Sequence, residues 1–337
     1  MKRGYMDWNK ELLPAGVLEN RRRVLMETAV KAGADAVVIY GDVYSADELS
    51  FYVNYAPYWC NSAAVITADE FYMVTGHNNR VNPWISTLTG LKEENLLAAG
   101  FKVPVKIAES LKDKFPLGGT IGIIGKYVMA EVIKELKNHG FHPVMLDSEV
   151  SGLLKNTDEA YKKTAAKAAA ILKHAFIQGE AAYDRGGNSK TVAAEIEYDA
   201  RKNGAMDIVL YAAYDGQEFG LPVMKEDLGG HWTLYGLMQY LGVWVSLAQP
   251  FGINYKQAEA LLDRAAGWLI PGAETAGNME GYEISVKRVT ADAISNLNEE
   301  VKELCENQIV AVSAYCKSDG IYCEKMYCVT GKGAIAL

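Results

Sequence analysis

The chain has 337 residues, half of them hydrophobic and 23% charged, with a formal net charge of −8. That length suits two domains, with enough apolar material for two cores. The acidic balance argues against a general nucleic-acid binder, which needs a basic surface to displace counterions.

Arg21, Arg22 and Arg23 form the one tight basic run and read as a solvated helix face. No signal peptide is visible, because Asp7, Lys10 and Glu11 precede any apolar run. The longest uncharged segment, Trp232 to Tyr255, is interrupted by Gln239, Ser246, Gln249, Pro250 and glycines. It reads as two buried strands rather than a membrane span. The five cysteines are odd in number, which with no secretion signal points to reduced thiols and a cytoplasmic protein. Cys316, Cys323 and Cys328 are spaced unlike zinc knuckles and read as strand cysteines.

In chain order, residues 1–16 read as an arm that Trp8 anchors. Leu18 to Gly33 has helical spacing and closes at glycine. Ala36 to Tyr40 is a buried strand. Leu49 to Asn54 reads as a second strand, and Ser62 to Thr67 and Phe71 to Thr75 as a hairpin-like pair. Pro104–Lys114 is helical, Thr120–Gly125 a strand, Met129–His139 a helix and Pro143–Leu146 a strand. Together these make a small α/β domain over residues 1–150. From 151 the texture changes. Asn156 is expected to cap a helix running from Thr157 to Tyr183, and Ser189 a second one ending near Gly204. Ile208–Tyr214 is a strand, and 215–230 a polar loop. The uncharged segment supplies two strands. Lys256–Leu269 is a helix with Trp268 on its apolar face. Glu299–Cys305 reads as a helix, and Gln308–Tyr315 pairs with Gly320–Val329.

Three segments carry a resemblance: RRRVLMETAVKAGADAVVIYGD, LLKNTDEAYKKTAAKAAAILKHAF and GGNSKTVAAEIEYDARKNGAMD. With the ending CVTGKGAIAL, they resemble the creatinase/aminopeptidase P family. The resemblance implies a creatinase-type α/β domain over 1–150, followed by a pita-bread α+β domain over 151–337. It also implies a homodimer in which the amino-terminal domain reaches over the partner's site. The family's usual chemistry is hydrolysis assisted by two metals, held by two Asp, one His and two Glu. Carried over residue by residue, the first Asp falls on Gly236 and the second on Ser246. One Glu falls near Ser313, and only the last Glu is retained, as Glu324. The Arg that follows the second Asp becomes Gln249. No histidine occurs after His231. The expectation is therefore no metal and no other cofactor. Creatinase works without metal, through a His and glutamates. Its His lands near Phe219, and its carboxylate-gripping residues land near Tyr58 and Cys60, so the gripping Arg is absent.

The candidates for chemistry follow from residue type and place. His231 is the residue type that suits general acid–base work near neutral pH. Glu218 and Asp215 can pair with Glu226 or Asp227 in the loop before it. Glu324 is a carboxylate on an otherwise apolar strand and needs a partner if it faces inward. Trp232, Tyr235, Tyr240 and Trp244 offer an aromatic pocket. In the first domain, Tyr58 and Trp59 offer an aromatic wall, and His77 and Arg80 follow a strand, where Arg80 suits a carboxylate or phosphate. Cys60 has no neighbouring base to make it a nucleophile. Two functions fit. One is a metal-independent enzyme that cleaves an amide, amidine or lactam C–N bond of a small polar molecule. Its residues would be His231, Glu324 and Glu218, with Tyr58, Trp59, His77, Arg80, Trp232 and Tyr240 around the substrate. The other is a non-catalytic relative that binds a ligand or peptide, or pairs with an active homologue. Neither needs nucleic acid or a membrane.

Overall fold

The computed structural model describes residues 6–155, 157–214, 228, 230–289, 298–301 and 303–337. The chain divides into two compact units, Met1–Leu154 and Lys155–Leu337. No helix among the described residues is long and apolar enough to cross a membrane.

The first unit runs α1 (Ala15–Lys31), β1 (Ala36–Gly41), α2 (Asp47–Val53), β2 (Ser62–Ile66), β3 (Phe71–Thr75), α3 (Asn82–Thr89), β4 (Leu96–Ala98), α4 (Val103–Lys114), β5 (Thr120–Ile124), α5 (Ala130–Asn138), β6 (His142–Met145) and α6 (Asp147–Lys155). Its six strands lie in the order β4-β3-β2-β1-β5-β6. The β1–β2 and β2–β3 pairs are antiparallel, and β1–β5, β5–β6 and β3–β4 are parallel. Alternation along β1 sends Val37 and Ile39 into one core and Ala36, Val38 and Tyr40 into the other. A sheet buried on both faces explains why the strand reads as a continuous apolar run.

Two expectations for this unit are corrected. Leu49–Asn54 belongs to a helix, not a strand. Leu49, Tyr52 and Val53 share one buried helical face, and Asp47 and Glu48 occupy the first turn, where carboxylates are favoured. Asn54 ends it in the left-handed region (φ 57°), and its side-chain amide donates to the Leu88 carbonyl at 2.9 Å. The basic run is also not a solvated face. Arg21 stacks 3.9 Å over Phe51 and donates to that residue's carbonyl at 2.8 Å. Arg22 covers Phe71 at 4.2 Å and donates to the Tyr52 carbonyl at 3.0 Å, and burial pulls its guanidinium below its ordinary pKa. Only Arg23, paired with Glu27, stays in solvent. Trp8 does anchor the arm: its ring lies against Gly90, where a Cβ would sit 3.0 Å from it, and its indole donates to the Leu13 carbonyl at 2.7 Å.

The second unit runs α7 (Glu159–Asp184), α8 (Ser189–Lys202), β7 (Asp207–Tyr214), β8 (Trp232–Tyr240), β9 (Val243–Phe251), α9 (Lys256–Ala266), β10 (Ala276–Met279), β11 (Tyr282–Val289), β12 (Asn298–Glu300), β13 (Ile309–Cys316), β14 (Ile321–Thr330) and β15 (Gly333–Ala336). The sheet order is β10-β11-β13-β14-β9-β8-β7, with β12 on β11 and β15 on β14. The hairpins β8–β9 and β13–β14 are long regular ladders. They meet at a seam registered by one residue pair, Glu324 with Ala248.

Helices cover one face of this sheet. Val310, Val312, Ala314 and Cys323 pack with Ala258, Leu261 and Leu262 of α9. On β8, Gly236 lies against Phe176 of α7, and a Cβ there would sit 2.8 Å from the ring. The opposite face carries Tyr235, Leu237, Ser246, Tyr322 and Glu324. Gly236→Val should therefore cost about 1–3 kcal/mol by overpacking α7. Urea unfolding of the variant checks this, and an unchanged midpoint would mean that α7 does not press on β8.

Further corrections concern ends and caps. The α7 cap is Asp158, which accepts from the Tyr161 N–H at 2.8 Å; Asn156 lies outside the described residues. Asn188 caps α8 by accepting from the Thr191 N–H at 3.0 Å, and Ser189 is the first helical residue. Helix α9 stops at Ala266, which leaves Trp268 63% exposed. Asn298–Glu300 is a strand, not a helix. The edge of β11 beyond β10 is open, and β12 fills it opposite Lys287–Val289.

Candidate functional site

Glu324 is fully buried on β14, on the face away from the helices. A carboxylate taken out of water needs donors, and it has two. The Ser246 hydroxyl donates to one oxygen, and the Tyr322 hydroxyl donates to the other at 2.5 Å. Strand geometry makes this arrangement. Tyr322 and Glu324 are two apart on one strand and so share a face, and Ser246 arrives across the seam from β9. Burial, and then the charge of Glu324, hold the Tyr322 phenol well above its ordinary pKa, so it remains a donor. Lys287 of β11 donates its ammonium to the Tyr322 oxygen at 3.2 Å and lies 5.5 Å over that ring. Ser313 sits opposite Glu324 in register and Ser285 opposite Ser313, with their hydroxyls 2.7 Å apart. The line Ser246–Glu324–Tyr322–Lys287 joins one anion to one cation through hydroxyls.

The sequence-predicted residues are placed as follows. Glu324, Ser246 and Ser313 come together. Gly236 does not stand on their face. Its missing side chain would point at Phe176, and the positions beside Ser246 are Leu237, its register partner, and Tyr235, which pairs with Ala248. The aromatic four are split by the same alternation. Tyr235 and Trp244 share the Glu324 face. Trp232 faces the helices, stacked on Phe251 at 4.4 Å with Tyr183 at its edge. Tyr240 packs on Gly204. His231 is half-buried just before β8, with no hydrogen bond among the described residues. Four residues separate it from Tyr235, roughly 13 Å along a strand, so it is not a neighbour of Glu324. Glu218, with Asp215, Phe219, Glu226 and Asp227, lies outside the described residues.

In the first unit, His77 is fully buried and neither ring nitrogen has a partner. It stacks 4.8 Å from Tyr58 at 30° and meets the Trp59 ring edge-on at 5.2 Å. Burial pulls its pKa down to about 4, which makes it a neutral imidazole near pH 7 rather than a titrating partner for Arg80. Arg80 is exposed, three residues on. Trp59 is 53% exposed beside this box. The Cys60 thiol is pushed up to about 11, first by burial, with Ser62 and the Gly76 backbone opposing. It is a protonated thiol at neutral pH and a poor nucleophile.

Sequence reasoning missed Tyr322, Lys287 and Ser285. The Tyr-x-Glu pair on one strand was the available signal, because two polar side chains at a spacing of two must share a face.

Among the described residues, the donors on this face do not make up a set for a pair of divalent metals. Such a centre needs several carboxylates and an imidazole, whereas this face offers one carboxylate already taken by two hydroxyls. Among the described residues, no three of His, Cys, Asp or Glu converge on one point.

No family model and no curated protein matches the chain in sequence. Solved structures do match in shape. The X-Pro aminopeptidase from Thermotoga maritima superposes with a TM-score of 0.71 at 15% identity, covering 94% of this chain and 96% of that one. The prolidase from Pyrococcus horikoshii gives 0.69 at 17% identity, covering 94% and 97%. The N-terminal domain of the FACT complex subunit SPT16 from chickpea gives 0.59 at 12%, covering 96% of each. At such identities the likeness fixes the fold. The chain has the pita-bread α/β fold of the prolidases and X-Pro aminopeptidases over nearly its full length.

Proposed function

We propose that this chain is a metal-free binding module on a peptidase scaffold, which takes a small polar ligand or short peptide on the Glu324 face of its second sheet. The observation that carries the reading is the state of Glu324. Both carboxylate oxygens are occupied by hydroxyls of the same chain, and Lys287 supplies the cation through Tyr322. With one hydroxyl bond on each oxygen, about half of the acceptor capacity of this carboxylate is spent within the chain, and its buried place suits a structural hub better than a ligand for a metal pair or a base for a substrate proton. The half-buried Lys287 ammonium and the half-buried Tyr211 ring, which packs 6.3 Å from the core ring of Tyr235, suit a ligand with an anionic end and a flat or apolar body. The SPT16 likeness supports the reading only in fold, by showing the same architecture in a subunit of a complex.

A second reading, a metal-independent hydrolase of a C–N bond in a small polar molecule, rests on the buried Ser246–Glu324 pair. A serine hydroxyl donating to a carboxylate is the first half of an activated nucleophile. In both readings the protein forms a homodimer, with its amino-terminal unit contributing Tyr58, Trp59 and Arg80 to the partner's ligand.

The test is metal analysis and turnover together. Purified protein given manganese, cobalt or zinc should retain no two-equivalent complement after dialysis and should leave X-Pro dipeptides intact. Two tightly held equivalents with dipeptide cleavage would overturn the metal-free assignment. Cleavage of a small amide that is lost in Ser246→Ala and needs no metal would favour the second reading.

A further inference from the structure

A groove of about 650 Å³ lies on the first unit, between α1 and the turn that joins β2 to β3. Helical spacing builds its α1 wall. Arg22, Met26 and Val30 follow one another at i, i+4 and i+8, and Arg23, Glu27 and Lys31 form a second stripe beside them. Ile66 and Phe71, the strand residues that flank the turn, line the facing wall. The first stripe runs from a guanidinium to an apolar end over about 12 Å of helix. At that end Val30 is 58% exposed. The size and the mostly apolar walls are those of small-molecule sites, which add a few placed polar groups.

The charges of the groove are satisfied except at its head. Glu27 is taken by Arg23, and Glu70, next to Phe71, is drawn off to Lys114. Lys31 and Asp69 are exposed at the rim, where water solvates them. Arg22 is different: it is half-buried and holds no ion pair among the described residues. Its guanidinium lies 4.2 Å over Phe71, and Nη1 donates to the Tyr52 carbonyl at 3.0 Å. A guanidinium carries further N–H groups, and those of Arg22 have no acceptor among the described residues. Burial lowers its pKa, opposed by the charge of Glu19, which is exposed one turn earlier. A cation held flat, partly dehydrated and short of acceptors favours a planar anion that takes two N–H groups at once.

A membrane surface is the poorer fit. Arg22, Arg23 and Lys31 are matched around the same groove by Glu27, Asp69 and Glu70, whereas anionic lipid surfaces draw clusters of unbalanced cations.

We propose that this groove binds a free single-chain carboxylate of the fatty-acid type. Its carboxylate accepts from the spare N–H groups of Arg22, and its aliphatic chain lies along Met26 and Val30, opposite Ile66 and Phe71. The site belongs wholly to the first unit, and the Glu324 face to the second.

The probe is octanoate, titrated calorimetrically into the whole protein. Octanol and butyrate are the controls, one without the charge and one without the long chain. Wild type should bind octanoate saturably and about tenfold tighter than either, the worth of a hydrogen bond to a charged group. Arg22→Met keeps an unbranched chain against Phe71 and should abolish the preference over octanol. Val30→Asn should weaken octanoate and octanol alike, about threefold, through lost apolar contact. Val30 is exposed, so an unchanged unfolding midpoint certifies that variant even where Arg22→Met is destabilised. Equal affinity of wild type for octanoate and octanol, or binding that neither variant changes, would overturn the site. Binding lost in Lys287→Ala but kept in Arg22→Met would place the carboxylate on the Glu324 face and would also overturn it. Cosedimentation with phosphatidylglycerol vesicles that Arg22→Met abolishes, with no saturable binding of octanoate, would make the groove a membrane contact and overturn it as well.

Discussion

Glu324→Ala lowers the stability of the carboxy-terminal unit by about 3–5 kcal/mol, the range for removing one member of a buried hydrogen-bonded charge network. The loss has two sources. The Ser246 and Tyr322 hydroxyls lose their acceptor inside the protein, and Lys287 loses the anion that balances it through Tyr322. Glu324→Gln keeps an acceptor oxygen and loses less, about 1.5–3 kcal/mol, the worth of a hydrogen bond to a charged group. Urea unfolding followed by a probe in the second unit measures both. If Ala and Gln cost the same small amount, Glu324 is not the hub of this face, and the binding reading loses its foundation.

The second large effect is one of acid. Burial pulls His77 from an ordinary value of 6.5 to about 4. The folded state holds fewer protons than the unfolded state between those values, so stability rises with pH across that window. The contribution of the neutral imidazole is complete above about pH 6.5 and is lost as the pH falls toward 4. It amounts to about 3 kcal/mol at 1.36 kcal/mol per pKa unit. His77→Phe keeps a ring against Tyr58 and removes the titration. Unfolding midpoints of wild type should fall more steeply than those of the variant between pH 6.5 and 4. Parallel curves would show that the box admits the charged ring without cost. Because Trp59 packs on His77, tryptophan emission should report the same transition.

How much of this was legible depended on what set each residue's surroundings. The β1 run and the hairpin from Trp232 to Phe251 were readable because continuous burial leaves an uninterrupted apolar pattern. Leu49–Asn54 was misread because Phe, Tyr and Val favour strands locally, while the spacing of Leu49, Tyr52 and Val53 favours a helix. Packing against β1 decided for the helix. Asn298–Glu300 was misread for the opposite reason: good helix formers were claimed by an open strand edge. Glu324 could be singled out as a lone carboxylate in an apolar strand. Its partners could not, because Ser246 and Lys287 come from strands distant in sequence. Gly236 takes the helix side of β8, not the Ser246 side. A count along the chain does not fix which face a strand residue takes, and a shift of one reverses the face. Trp232 and Tyr240 fell to the same alternation.

With β9 and β14 registered through one residue pair, the two long hairpins of the second sheet share almost no backbone ladder. Nine residue pairs join β8 to β9 and eight join β13 to β14, so each hairpin keeps its own amide protection. Opening at the seam breaks few backbone bonds. The sheet can therefore behave as two cooperative foldons hinged at Glu324, and the side-chain line Ser246–Glu324 becomes the chief polar clasp between them.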